Sequence, residues 1–281
     1  MKNYFVYVSS LLKVFNESES GFIMELGIKG KKAIVCASSR GLGFGCAEAL
    51  AQAGVNLTIC ARNSDQLHIA EKKLTDYGVE VISVCCDVTS GTGQSALLQA
   101  CPDPDILINN AGGPPPGIWS EWEREDFISA LDANMITPIT LIGKVLPMMI
   151  DKKWGRIVNI TSQAVKAPVP ALGLSNSARA GLTGYVAGTS RQVAKHGVTI
   201  NNLLPGMHDT QRLVDLDSAL SEEKGISLED ARTSRMSSIP AGRYGTIHEF
   251  GNACAFICSQ HAAFMVGQNI LLDGGAVNST I

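Results

Sequence analysis

Two groups of residues in this chain are equipped for chemistry: a glycine turn beside an arginine, able to hold phosphate, and a C-terminal set of thiols and an imidazole. The turn reads Cys36-Ala37-Ser38-Ser39-Arg40-Gly41-Leu42-Gly43. Gly41 and Gly43 permit a tight bend and close backbone approach to a pyrophosphate, and a helix start behind them offers free N–H groups to the anion. Such a turn alone can be only a turn, so its neighbours decide its weight. Cys254, Cys258 and His261 stand at i, i+4 and i+7, which places two thiols and an imidazole on one helix face as metal ligands would be. A fourth ligand is not apparent, so a core or interface helix is the better reading and no metal is expected.

A phosphate turn needs a strand in front of it and a helix behind. The apolar run 33–36 precedes the turn, and small and apolar residues at helical spacing follow it over 46–53. Strand-like runs recur at 55–60, 81–85, 106–108, 157–160, 198–204 and 269–272, mostly with helical stretches between them. Strands separated by helices pair in parallel through right-handed crossovers, which predicts an α/β, doubly wound parallel sheet with its ligands at the carboxyl ends of the strands. Residues 207–244 are more charged and less apolar. They read either as a mobile lid over that edge or as an ordinary surface helix pair.

Length and composition narrow the class. The 281 residues suffice for one substantial core, and a single domain is expected. A net charge of -3, without a basic stripe, argues against nucleic acid as a partner. The eight cysteines lie mostly in apolar stretches, where a thiol behaves as a small hydrophobe; they read as reduced and the chain as cytoplasmic. Residues 1–23 pair an apolar patch, broken by Lys13, with a polar run at 16–20. That patch is too short and interrupted to span a bilayer and lacks a clear cleavage site, so it reads as a disordered or loosely docked extension, with Met24 a candidate start; no membrane is expected.

Taken in order, the polar clusters resemble those of the short-chain dehydrogenase/reductase family. Its Gly-x-x-x-Gly-x-Gly turn is matched at 37–43 with Ala37 for the first glycine, a mild change provided Ala37 keeps a negative φ. Asp87-Val88 follows the third strand, Asn109-Asn110-Ala111-Gly112 the fourth, Asn134 lies in the next helix and Ser162 follows the fifth strand. Pro205-Gly206, Thr210, Gly267-Gln268 and Asp273-Gly274-Gly275 complete the set, so the resemblance runs over residues 27–277. It implies a Rossmann fold, a dinucleotide cofactor and oxidoreductase activity similar to that of acyl-carrier reductases. It also implies that Ala37 to Gly43 line the phosphates, that Asp87 and Val88 hold the adenine, that Asn110, Ala111 and Gly112 line the adenosine side, and that Thr210, after Pro205-Gly206, contacts the nicotinamide amide. Dimers or tetramers built on long helices are implied as well, and the apolar stretch 136–150 suits such packing.

Charge selects the cofactor. NAD(H) binders place a carboxylate after the second strand to hold the ribose hydroxyls. Here that place reads Cys60-Ala61-Arg62-Asn63, and Arg62 with Arg40 suits a 2′-phosphate, so NADP(H) is expected.

The catalytic centre departs from the family. The resemblance implies a tyrosine as proton donor, a lysine four residues on that lowers its pKa, a serine that positions the carbonyl and an asparagine that supports a water relay. Ser162 and Asn134 match the last two roles. The tyrosine and lysine places read Ser175 and Arg179, in Ser175-Asn176-Ser177-Ala178-Arg179. An aliphatic hydroxyl is far less acidic than a phenol with pKa of about 10, and a guanidinium with pKa above about 12 is a poor proton relay. Tyr185 lies about 15 Å further along the helix at 1.5 Å per residue, too far to substitute. His208 and Tyr244 are the replacements considered, and His208, which titrates near neutrality, is the candidate proton donor. Residues 113–119, with three prolines and Trp119, either wall a substrate pocket or pack as a loop. Two functions remain: an NADP(H)-dependent oxidoreductase of carbonyls or alcohols with an altered proton route, acting on a small-molecule or acyl-carrier substrate, or a non-redox member that keeps NADP(H) for regulation or structure, including an isomerase or lyase.

Overall fold

The apolar runs form strands, and the helices between them force parallel pairing. The computed structural model describes residues 24–279, so the extension expected at 1–23 lies outside the described residues. In chain order come β1 (Lys32–Val35), α1 (Gly41–Gln52), β2 (Asn56–Ala61), α2 (Ser64–Thr75), β3 (Val81–Cys85), α3 (Gly91–Ala100) and β4 (Ile106–Asn109). Then follow α4 (Arg124–Leu131), α5 (Thr137–Asp151), β5 (Gly155–Ile160), α6 (Gly173–Val193), β6 (Val198–Pro205), α7 (Gln211–Lys224), α8 (Leu228–Met236), α9 (Ile247–Cys258) and β7 (Asn269–Leu272). The seven strands lie in the order β3-β2-β1-β4-β5-β6-β7. Strand order reverses between β1 and β4, and the crevice at that reversal is where a parallel sheet binds ligands.

Both faces of the sheet are covered, which is why its central strands read as unbroken apolar runs. Ile106 and Ile108 of β4 pack with Leu50 and Phe250 on the side of α1 and α9. Leu107, between them, faces Leu141, Val145 and Leu182 on the side of α5 and α6. Short polar side chains set where helices begin: Asn63 accepts from Gln66 N at 2.9 Å, Ser90 from Gly93 N at 3.0 Å, and Thr246 with Glu249 forms a capping box.

Helices α1 and α9 cross with almost no gap. A Cβ on Gly251 would strike the Gly45 carbonyl, and one on Gly45 would strike the Ile247 carbonyl. This contact ties the phosphate-side helix to the last helix of the chain.

Four buried or half-buried asparagines run across the sheet. Asn109 Nδ2 donates to Asn159 Oδ1 at 2.8 Å, Asn159 Nδ2 to Asn202 Oδ1 at 2.9 Å, and Asn202 Nδ2 to Asn269 Oδ1 at 2.8 Å. Their residues are register partners across β4, β5, β6 and β7, so each amide meets the next in line. The ladder lies toward the carboxyl ends of β4 and β5, beneath the crevice.

Helices α4 and α5 join through a π-helical segment, Asp132–Ile136, into one helix from Arg124 to Asp151. Among the described residues it is the one helix long and apolar enough to cross a membrane, but Leu141, Ile142, Val145 and Met149 are fully buried against the sheet, as in a core helix. The stretch 207–244 contains the helix pair α7 and α8, with a small core of Leu213, Ile239 and Tyr244. Beneath it lies a buried carboxylate, Asp217, which accepts the Tyr244 hydroxyl at 3.0 and 3.1 Å and pairs with Arg235 Nε at 2.8 Å.

Candidate active site and cofactor cleft

A cleft of about 690 Å³ opens at the strand-order reversal, lined on one side by Ala37, Ser39, Arg40, Arg62, Asn63, Asp87 and Val88 and on the other by Ala111, Gly112, Pro114 and Asn134. Its volume suits a dinucleotide or drug-sized ligand. Arg40 and Arg62 are both exposed and both line it, leaving two guanidinium groups available to a phosphate. Asp87 accepts from Thr89 N and Oγ1 at 2.9 and 2.8 Å, and these bonds hold its carboxyl below the usual range.

Under the turn the roles differ from the expected ones. Ser38 is fully buried, its hydroxyl donating to Val35 O at 2.7 Å, so it braces β1 and does not face the cleft. Asn110 Nδ2 donates to Ala37 O at 3.2 Å and likewise holds the turn. Leu42 is half-buried and packs on the core. Gly43 has no room for a side chain, since a Cβ there would meet Ala37 O and sit 2.8 Å from Asn110 Nδ2. Gly41 adopts φ +61° and faces Thr210, whose methyl would stand 3.7 Å from an added Cβ. Ala37 corrects the sequence reading. Its φ is +46°, not negative, so the alanine holds a left-handed conformation that its methyl group disfavours.

Pro205 ends β6, and Gly206 N donates to Leu272 O at 2.8 Å, with the Asp273 Cα only 2.6 Å from any added Cβ. This close packing turns the chain toward Thr210, which begins α7 without a side-chain capping bond.

The catalytic candidates gather around α6. Arg179 Nε donates to Ser175 Oγ at 3.1 Å, and its Nη1 donates to Ile160 O at 2.8 Å. Burial, and then the charge of Arg212, bring the Arg179 guanidinium down to about 10. Ser162 caps a short 3-10 turn, its Oγ accepting from Ala164 N at 3.0 Å, which leaves its own hydrogen free to donate. Asn134 sits in the π-helical segment, a type of irregularity frequent at functional sites, and donates to Gly112 O at 3.3 Å and Ala130 O at 3.4 Å.

The structure does not bring His208 to this group. Its ring is 6% exposed, lies on Phe250 with centroids 5.2 Å apart, and puts Nδ1 3.3 Å from Gly206 O. Burial holds its imidazole below the usual range, so it is neutral at pH 7 and ill suited to donate a proton. Tyr244 is no better placed: burial and Asp217 push its phenol up to about 12. Trp119 is 86% exposed and walls nothing, whereas Trp122 packs beneath Gly117 and Gly173 and fastens the proline loop to α6. At the other end of the chain, Cys254 and Cys258 are buried core thiols, and His261 Nε2 turns away to Glu25 O at 2.9 Å.

Arg212 of α7 escaped the sequence reading. It reaches across the cleft mouth and donates from Nη1 to Gly113 O and from Nη2 to Pro114 O, both at 3.2 Å. An arginine on a surface helix carries no signature of its own, so only the fold reveals the bridge.

Known proteins place this geometry. The family model described as enoyl-(acyl carrier protein) reductase matches residues 36–277. The 3-oxoacyl-[acyl-carrier-protein] reductase FabG of Vibrio cholerae is 31% identical over 256 residues, 89% of this chain and 98% of that protein. FabG of Escherichia coli is 30% identical over 257 residues, again 89% and 98%. L-sorbose reductase from Gluconobacter frateurii, solved with NADPH and L-sorbose, superposes with a TM-score of 0.87 at 27% identity, covering 91% of this chain and all (100%) of that one. YwfH, an NADPH-dependent reductase involved in bacilysin biosynthesis, gives 0.84 at 26% identity over 89% of this chain and 100% of its own. With the sheet order, the glycine turn and these matches in agreement, the chain belongs to the short-chain dehydrogenase/reductase family of oxidoreductases.

Proposed function

We propose that this chain is an NADP(H)-dependent reductase of carbonyl compounds in which Ser175 and Arg179 together supply the proton. The observation that carries the reading is the cleft itself: Arg40 and Arg62 stand exposed at the end where NAD(H) binders keep a carboxylate, Asn134 and Leu174 line the other side, and Ser175, next to Leu174, is bonded to Arg179. The residues fit the cofactor. Gly43 lets the turn close on Ala37 O and Asn110, Thr210 faces the same turn at Gly41, and Asp87 and Val88 flank the adenine end. NADPH, when bound, supplies the hydride.

The protein's own part is the proton. Ser162 donates its free hydrogen to the substrate carbonyl oxygen and polarises it. Because Arg179 Nε already donates to Ser175 Oγ, the Ser175 hydrogen is directed elsewhere and is available to the developing alkoxide. As Ser175 gives up that proton, Arg179 replaces it through the same 3.1 Å contact, and water reprotonates the guanidinium. A guanidinium brought down to about 10 is a competent donor to an alkoxide, which an ordinary one above about 12 is less suited to be. Asn134 holds Gly112 and so positions the cleft wall beside the pair.

The remaining assignments have narrower support. A small-molecule or acyl-carrier substrate follows from the relatives' names. A homo-oligomer, dimer or tetramer, is supported by Phe127, Ile128 and Ile136, which are 37%, 38% and 43% exposed along one long helix. The cytoplasm is supported by eight free cysteines. A soluble chain without a nucleic-acid partner follows from its charge, and helices α7 and α8 serve as the lid over the cleft.

A non-redox role has one observation in its favour: among the described residues the site lacks a phenol, since Tyr244 is held by Asp217 and Tyr185 packs on the core. Deuterium decides between the two. With NADPH labelled at the transferable position and a library of ketones and aldehydes, the reductase reading expects label in a product alcohol. Tight NADPH binding with no label in any product establishes the non-redox reading instead.

A further inference from the structure

We infer that Cys60 and Cys86 form an oxidation site built into the cofactor cleft, where a disulfide between them closes the adenine end and bound cofactor keeps it from forming. The inference rests on the cleft holding NADP(H), and it stands whether or not the bound cofactor transfers hydride.

The sheet sets three thiols in a row. β1 pairs with β2 through Val35 and Ile59, so Cys36 and Cys60, each one residue further on, lie side by side. Cys60 pairs with Val84 of β3, and Cys86 follows two residues later, on the same face by the alternation of a strand. Cys86 N donates to Ala61 O at 3.0 Å, which holds this backbone against the end of β2. All three side chains belong to one apolar cluster, and the Cys60 thiol is hydrogen-bonded to those of Cys36 and Cys86.

Position gives the pair its effect. Cys60 and Cys86 both line the cleft, with Arg62 two residues after the first and Asp87 directly after the second. Cys36 and Cys60 are each 1% exposed, whereas Cys86 is half-buried and is the thiol that an oxidant entering the cleft meets. Thiols in hydrogen-bonded contact stand further apart than the roughly 2.05 Å of a covalent S–S bond. Bridging therefore draws the Asp87-Val88 turn toward the end of β2 and narrows the space for adenine. A dinucleotide already in place covers Cys86.

The oxidant is a peroxide. With hydrogen peroxide, the Cys86 sulfur attacks one oxygen, the O–O bond breaks, and the other oxygen leaves as water with the thiol proton. The Cys60 sulfur then displaces the hydroxyl from Cys86: the S–S bond forms, the S–O bond breaks, and a second water leaves with the Cys60 proton. Two electrons pass from the two sulfurs to the peroxide. The attacking form is the thiolate. The bond to Cys36 and then burial hold Cys60 above the ordinary thiol range, and the bond to Cys60 and then burial do the same for Cys86, so the bridge forms slowly at pH 7 and faster as pH rises.

The test treats the full, reduced chain with hydrogen peroxide, with and without saturating NADP+, then reads disulfides by peptide mapping and NADP+ affinity by calorimetry once the peroxide is removed. We expect a Cys60–Cys86 bridge, NADP+ affinity lowered at least about tenfold and restored by dithiothreitol, and bridging slowed at least about tenfold by bound NADP+. Cys86→Ser forms no such bridge and keeps, after the same treatment, the affinity it had before; Cys60→Ala gives the same result by removing the other sulfur. Cys85→Ser alters the exposed neighbour that does not line the cleft, and it bridges like the unaltered chain. A bridge between other cysteines, a product of sulfinic and sulfonic acids alone, or a Cys60–Cys86 bridge that leaves NADP+ affinity unchanged overturns the inference. A reduced chain that binds no NADP+ shows instead that the cofactor reading is at fault, and the inference falls with it.

Discussion

Arg179 Nε lies 3.1 Å from Ser175 Oγ, one helical turn away on α6, and donates to it. The direction of this bond matters more than its length. A hydroxyl that accepts from a guanidinium keeps its own hydrogen for a third group, so the pair forms a directed chain from Arg179 through Ser175 to whatever binds above.

If that chain carries the proton, Ser175→Ala lowers kcat by about 10²- to 10⁴-fold, the usual cost of removing a positioned acid, with little change in NADPH affinity. Steady-state kinetics together with calorimetry separates the two effects.

The pH profile has a definite sign. The protonated guanidinium is the donor, so reduction proceeds below its pKa of about 10 and declines as pH rises through that value. A stopped-flow pH series from 7 to about 10.5, with deuterated cofactor to isolate chemistry, shows the descending limb. A profile that is flat to its upper end excludes Arg179 as the source.

Cofactor preference follows from Arg40 and Arg62. Arg62→Ala should weaken NADPH by about tenfold or more and leave NADH nearly unchanged, because the lost charge-assisted bond is to the 2′-phosphate. Arg62→Glu should go further and favour NADH. Titration of both dinucleotides into each variant measures it.

Ala37 holds φ +46°, where the methyl group costs about 1–2 kcal/mol relative to an unstrained backbone. Ala37→Gly removes that strain but adds freedom to the unfolded chain, worth about 0.4–1 kcal/mol. The net expectation is a gain of several tenths to about 1 kcal/mol, read as a higher denaturation midpoint.

Asn159 is one of the two ladder members with neighbours on both sides. Asn159→Ala leaves the Asn109 amide and the Asn202 carbonyl without their partners in the core, at about 1–3 kcal/mol for each buried group. Chemical denaturation should show a loss of roughly 3 kcal/mol, and double substitution with Asn109 should be less than additive.

What the sequence discloses divides along physical lines. Strands such as β4 and β5 are legible because burial on both faces demands continuous apolar residues, and the glycine turn is legible because few residues tolerate that bend. The asparagine ladder is not. Each asparagine alone looks like the polar end of a strand, and only the register makes them partners. His208 was misplaced because chain position beside Pro205-Gly206 says nothing of which way the ring turns, and here it turns into Phe250. Arg212 was invisible because its partners lie 98 and 99 residues away. Ala37 misled because one methyl gives no hint of the sign of φ.

The near-contact of Gly45 with Gly251 has a consequence for synthesis. The phosphate-side helix is the first helix of the described chain and Gly251 lies in the last, so the angle at which the helix meets its ligand is completed only when residues 247–258 have emerged from the ribosome. Until then the N-terminal half has the turn but not the helix that presses α1 into place. A nascent chain arrested before residue 247 should therefore be unable to retain nucleotide, and cofactor capture should mark the close of folding.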